Sequence, residues 1–374
     1  MKRRIHILVA PNSMKGSLNA FEFAEVVEEA FVKVSSRFVV RKVPVADGGD
    51  YTEEILRRAL NSKTVGMEVL DPLGRPVKAG YAVAGKTAVI EMADASGIRL
   101  LKSGEQDPLK TSSFGTGQLV LHAIRKGCTE ILLGVGGSAT IDGGTGMLSA
   151  LGFQLFDECG EPLEGNGKNL ERIKTIRKPK VLHHVAVKII SDVNNPLLGN
   201  TGAVAVFGPQ KGATPQSSPA LENGLANWCQ LLEAESGKEL ALLKGAGAAG
   251  GIGLPLVAFY DAEIVPGSEY VLSLLNFEEH VSWADLVITG EGKIDGQTLH
   301  YKAPWAVAKK ARKAGKPVVA IGGSVEQEAS GAFDGMFSFV GKPLELSESI
   351  KNAHGMLFEF SVQLARLINA LNRH

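Results

Sequence analysis

Apolar residues open the chain as a run from Ile5 to Ala10, interrupted only by His6, with β-branched Ile5, Ile7 and Val9. A run with so little polar alternation reads as a strand covered on both faces. After the turn PNSMKGS the period changes: Ala20, Ala24, Val27, Phe31 and Val34 recur at spacings of four and three, the stripe of an amphipathic helix. Asn19 with Glu22 three residues later predicts a capping box at its start. A second strand is expected over 38–45 and a second helix over 51–60, separated by the glycine-bearing turn ADGGD. This β-loop-α-β-loop-α order belongs to the parallel α/β class.

The grammar changes near residue 64. The segments 64–70 and 77–92 are short β-rich runs joined by DPLGRP and AGK, which favour hairpins over crossovers. A helix over 118–126, strands over 130–135 and 185–191 and a helix over 221–236 follow. Regular alternation returns with strands at 286–289, 317–322 and 336–340, a helix at 304–314 and a terminal helix at 347–371. The pattern predicts a doubly wound domain built from both chain ends, 1–63 plus 285–374, and a second α/β domain inserted at 64–284. Ligands of such folds bind beyond the carboxyl ends of the parallel strands.

Composition narrows the class. With 374 residues, 44% apolar and 21% charged, the chain is ordinary globular material. Forty basic residues balance forty acidic ones, so no net field draws it to nucleic acid or to an anionic membrane. Cys128, Cys159 and Cys229 are odd in number and widely spaced, which argues against a disulfide frame or a zinc site and fits a reducing cytoplasm. The run after Lys2, Arg3 and Arg4 is too short for a signal core or a membrane span.

Candidate chemistry sits in glycine-rich loops. Seven of the nineteen positions from Gly134 to Gly152 are glycine, interleaved with Ser138, Thr140, Asp142 and Thr145. Exposed amides beside hydroxyls predict a phosphate cradle. Four further loops combine glycine or asparagine turns with polar groups: PNSMKGS with Ser13, Lys15 and Ser17; ADGGD with Asp47 and Asp50; SDVNNP with Asp192, Asn194 and Asn195; and TGEGKIDGQT with Glu291, Lys293 and Asp295. Each alone is ordinary turn and cap chemistry. Together they supply hard oxygen ligands, hydroxyl-orienting carboxylates and positive charge, the inventory of phosphoryl transfer from a magnesium nucleotide.

Two motifs mislead. GYAVAGKT at 80–87 satisfies the P-loop expression, but Lys86 is followed by the strand-like TAVIEM, so a hairpin turn is expected there. GAGAAG at 245–250 satisfies the dinucleotide fingerprint, and with it a nicotinamide-dependent oxidoreductase, but no apolar strand leads into it.

The motifs APNSMKGSL, VPVADGGD, EMADASG, SSFGTGQL, GVGGSATIDGGTGM, DVNNPLLGNTGAVAVFGPQKGA, GAGAAGGIG and TGEGKIDGQTLHYKAP, in this order, resemble the bacterial glycerate kinase family over nearly the full length. The resemblance implies a Rossmann-like doubly wound parallel-sheet domain, an inserted α/β domain with a mixed sheet, and a cleft between them. It also implies ATP-dependent phosphorylation of D-glycerate, commonly at the 2-hydroxyl, with Mg2+. Its partners would be glycerate and ATP, with self-association left open and no nucleic acid or membrane. On this basis Asp192, Asp295 and Lys15 are the catalytic candidates, with Asp192 and Asp295 also binding metal. Ser13, Asp47, Gly115, Thr116, Gly136, Gly137, Ser138, Gly143, Gly144, Gly290, Glu291 and Lys293 are the candidates for substrate or phosphate. The chain departs from the family's pattern at Asn12 for Asp, Asp50-Tyr51 for Glu-Gly, Gln118 for Glu, Ile141 for Asn, Lys293 for Arg and Tyr301 for Gly. Those departures keep two alternatives open, a kinase of another small hydroxy acid and a catalytically degenerate hydroxy-acid-binding protein.

Overall fold

A computed structural model describes residues 3–299 and 302–372. The chain divides into two compact units, Met1–Asp47 with Pro266–His374, and Gly48–Val265. Its strands are β1 (Ile5–Val9), β2 (Phe38–Lys42), β3 (Lys63–Leu70), β4 (Pro76–Ala84), β5 (Thr87–Glu91), β6 (Glu130–Gly134), β7 (Gln154–Phe156), β8 (Pro162–Leu163), β9 (Thr175–Arg177), β10 (Ala186–Ile190), β11 (Glu263–Val265), β12 (Leu286–Ile294), β13 (Val318–Val325) and β14 (Gly335–Ser338).

The first unit holds a five-stranded sheet in the order β14-β13-β12-β1-β2, parallel throughout. β1 is buried on both faces because its side chains alternate between two cores. Ile7 and Val9 pack with Phe23, Val27 and Phe31 of the helix Ala20–Val34 and with Leu357 and Leu364 of the terminal helix Leu346–Leu371. Leu8 packs on the other side with Val287, Val307 and Ala320. The capping box is present: Asn19 Oδ1 accepts from the amides of Phe21 and Glu22, and Glu22 Oε2 accepts from the Asn19 amide, each at 2.9 Å.

β12 runs to Ile294, whereas the glycines after Thr289 predicted an exit loop. Gly290 explains the difference, since a Cβ there would lie 2.2 Å from Ile321 O and about 3 Å from the Phe23 ring. Glycine here permits close packing of strand against helix rather than ending the strand.

The second unit carries a six-stranded sheet in the order β11-β10-β6-β5-β4-β3. β5, β6, β10 and β11 run parallel, and β3 and β4 add as antiparallel hairpins, giving the expected mixed sheet. The Gly85-Lys86 pair closes the β4–β5 hairpin with Ala84 opposite Thr87, so the P-loop expression has no strand-loop-helix context. GAGAAG ends in a short 3-10 turn, Ala248–Gly250, whose glycines pack closely: a Cβ on Gly250 would lie 2.3 Å from Thr140 O. A small antiparallel sheet, β8-β7-β9, was not anticipated, its strands being two or three residues long.

The unit boundaries fall at 47/48 and 265/266, where the hydrophobic pattern suggested 63/64 and 284/285. The helix Thr52–Ala59 packs on β4 and β5, and the helices Gly267–Leu274 and Phe277–Trp283 pack on the helix Ala303–Lys313. Tertiary contact, invisible in local periodicity, moves them across. Among the described residues Cys128, Cys159 and Cys229 are free thiols, and no helix is long and apolar enough to cross a membrane.

Candidate active site

In the first unit the carboxyl ends of β1 and β12, with the segment after β2, gather Asn12, Ser13, Asp47, Glu291, Lys293 and Asp295. The loop leaving β1 is tied to β12 by the Asn12 amide, which donates to Gly290 O at 2.8 Å. Asn12 Nδ2 donates to Asp47 Oδ2 at 3.2 Å, and its Oδ1 accepts from the Ser13 amide at 2.8 Å. An aspartate at position 12 would set a second carboxylate against Asp47, so the asparagine exchanges repulsion for a hydrogen bond. Met14 and Lys15 lie over Gly292, whose Cβ would come no closer to them than 3.8 Å. Lys15 is exposed and Ser13 half-buried.

Glu291 is buried, with Oε1 accepting from Thr298 Oγ1 at 2.7 Å and Oε2 lying 3.8 Å from Lys302 Nζ. Burial pushes its pKa up to about 7; Lys302 and Thr298 oppose the rise, while Asp47 and Asp295 add to it. A carboxyl poised there is matched to proton transfer at neutral pH. Asp295 is also buried, and its Oδ1 accepts from the Thr298 amide at 3.2 Å. Lys293 lies 3.3 Å from Asp295 Oδ2 and 2.6 Å from Glu326 Oε1, and chiefly the Glu326 bond raises its pKa. Gly290 is different from the rest. It is sealed within β12 and is a packing glycine, not a contact for substrate.

The second unit holds the other candidates. The loop after β6 has one exposed tip and one structural half. Gly136 is half-buried and Gly137 exposed, with Ser138 nearly buried behind them. Gly136 must be glycine because a Cβ would sit 2.3 Å from the Gly49 Cα, and its amide already donates to Gly48 O. Farther along, Asp142 is fully buried and accepts from the Ser113 amide and Oγ at 2.8 and 2.7 Å and from the amides of Gly144 and Gly146 at 3.0 and 3.2 Å. Burial raises its pKa and these bonds oppose the rise.

Gly143 and Gly144 therefore do not cradle phosphate. The Gly143 amide donates to Gly250 O and the Gly144 amide to Asp142, while a Cβ on Gly143 would meet the Trp228 ring at 2.5 Å. Gly115 and Thr116 are likewise internal: Gly115 has no room for a Cβ beside Leu70 O, and Thr116 Oγ1 donates to Ser96 Oγ at 2.7 Å. Ile141 belongs to the hydrophobic core, and Gln118 Oε1 accepts from the Leu70 amide, so neither departure from the family's pattern presents a side chain to a ligand. Asp192 follows β10 and is half-buried. Tyr301 lies outside the described residues.

Sequence reasoning missed three side chains of interest. Glu91, in EMADASG, is buried with its pKa pushed up to about 8 by that burial and next by Asp94, against the pull of Arg99 at 3.7 Å. Lys302 reaches Glu291. Lys211 is buried and donates to Ser138 Oγ and Thr140 O at 2.7 and 2.9 Å. Burial lowers its pKa to about 7, with Asp142 opposing. Its signal was a single charge in the otherwise uncharged stretch AVAVFGPQKGA.

The sequence model of the glycerate kinase family matches residues 7–369. The chain belongs to the glycerate kinase family. It is 43% identical to a glycerate kinase of Halalkalibacterium halodurans over 96% of this chain and 97% of that one. It is 40% identical to a glycerate 2-kinase of Escherichia coli, over 96% and 97%. A crystal structure of a protein assigned as glycerate kinase 2 of Salmonella typhimurium LT2 superposes with a TM-score of 0.84 at 40% identity, covering all of both chains. Family membership places this chain among the kinases, and its mixed α/β fold is that of the family.

Proposed function

We propose that this chain transfers the γ-phosphoryl group of ATP to the 2-hydroxyl of D-glycerate. The observation that carries the reading is Glu291, a buried carboxyl near pKa 7 at the carboxyl end of a parallel strand, flanked by Thr298 and Lys302. In this reading Glu291 takes the proton of the attacking hydroxyl. Lys302 and Thr298 hold the carboxylate in place, and Ser13 and Lys15 on the neighbouring loop bind the substrate carboxylate. Within the second unit, Gly137 and Ser138 are read as an oxyanion-binding pair in their own right.

Magnesium fits the donor chemistry. Asp295, Asp47 and the Asn12 amide are hard oxygen donors, and among the described residues no three acidic, histidine or cysteine side chains form a protein cage. Magnesium commonly takes one or two carboxylates and fills its shell with water and nucleotide phosphate. Asp295 is the residue that would hold it. When bound, the ion neutralises charge on the transferring group.

The test is incubation with magnesium-ATP and a panel of small hydroxy acids, followed by mass detection. The expected result is a phosphate adduct of glycerate that disappears without ATP. Transfer to a different hydroxy acid with none to glycerate would overturn the substrate, and binding without turnover would overturn the kinase reading.

A further inference from the structure

Lys211 is the least expected side chain of the second unit. A lysine is rarely buried without strong partners, yet Lys211 keeps only 3% of its surface exposed. Its ammonium donates to Ser138 Oγ at 2.7 Å and to Thr140 O at 2.9 Å. An ammonium has three protons and no lone pair. Ser138 Oγ is therefore the acceptor in this bond, and the hydroxyl proton must point elsewhere. Asp142 is the charged group that acts on Lys211 electrostatically, while the ammonium's hydrogen bonds go to a hydroxyl and a carbonyl oxygen, so the positive charge is not cancelled by them. Close by, the buried Thr140 Oγ1 has no hydrogen-bond partner among the described residues. Ser138 itself directly follows the exposed Gly137.

The geometry points to Lys211 as a positioning residue that fixes the Ser138 hydroxyl as a donor to an oxyanion held at the exposed Gly137 tip. The inference rests on reading that tip as an oxyanion site. Its ligand is a phosphate oxygen of ATP or the carboxylate of the acceptor, groups that share this chemistry. With the ammonium behind it, Ser138 cannot turn its proton inward, so the loop meets the anion already oriented. Ser138 touches the ligand, and Lys211 acts through Ser138.

The experiment compares Ser138→Ala, Lys211→Met and the double variant in the full chain, with KM measured separately for ATP and for glycerate. Thermal unfolding of each variant reports folding. Each single variant should raise the KM of one substrate by about tenfold, the loss of one charge-assisted hydrogen bond, with a much smaller change in kcat. The double variant should be no worse than the worse single one, because only one interaction is removed. Whichever KM moves identifies the ligand.

If Ser138→Ala leaves both KM values unchanged, the reading of the tip as an oxyanion site falls. If Ser138→Ala acts but Lys211→Met does not, or if the two effects multiply, the positioning role alone is overturned. Should Lys211→Met fail to fold, the wild-type pH profile decides. With Lys211 near pKa 7, the ammonium is lost as pH rises past that value, so the affected KM should rise above pH 7 in wild type and stay flatter in Ser138→Ala. Glu291 and Glu91 titrate in the same range in both proteins, so the difference between them isolates Lys211. Identical profiles would overturn the proposal.

Discussion

Glu291→Gln should lower kcat/KM by about 10²- to 10⁴-fold, the contribution typical of a general base. Glutamine keeps an oxygen for Thr298 Oγ1, so the variant should fold, and what it loses is the ability to take a proton. The pH profile carries the sharper test. A base must be ionised to act, and Glu291 is held near pKa 7 by burial, so wild-type kcat/KM should rise with pH through about 7. The variant should lose that limb. Asp295→Asn should behave differently, raising the magnesium concentration needed for half-maximal rate, because a metal ligand rather than a base is removed. Retention of both full activity and the acidic limb in Glu291→Gln would remove Glu291 from the chemistry.

The second large effect is on stability. Asp142→Ala should destabilise the second unit by about 3–5 kcal/mol, the cost of removing one partner from a buried charged network. The carboxylate satisfies four donors, from Ser113, Gly144 and Gly146. Alanine would leave all four buried without an acceptor and would remove the charge that faces Lys211. Against the 5–15 kcal/mol typical of a domain this is a large fraction. Urea unfolding followed by tryptophan fluorescence is a suitable probe, because Trp228 Nε1 donates to Gly143 O at 2.8 Å beside this network. A transition midpoint close to wild type would show that the network is not what holds the loop.

Local signals were legible in the sequence, and long-range ones were not. The capping box at Asn19, the buried first strand and the Gly85-Lys86 hairpin depend on residues within a few positions of each other, and each is found in the structure. Glycine was harder to interpret. Gly137 leaves the loop tip exposed, whereas Gly143, Gly144, Gly115 and Gly290 let one backbone approach Trp228, Ile252, Leu70 or Ile321. The two uses look alike in a sequence because the partner lies far along the chain. The same applies to Lys211 and Ser138, which are 73 positions apart. Asp142 was read as one polar group among exposed amides, yet it is buried and consumes those amides. Glu291 was identifiable from its loop, but its raised pKa depends on its burial in a strand paired with β13, which no local pattern records.

The most direct measurement is the phosphorus spectrum of the product formed from D-glycerate and magnesium-ATP. Phosphate on the 2-hydroxyl is attached to a carbon bearing one proton, so the proton-coupled resonance should be a doublet. A triplet, from phosphate on the carbon bearing two protons, would contradict the proposed acceptor, and the absence of any new phosphoester would contradict the proposed reaction.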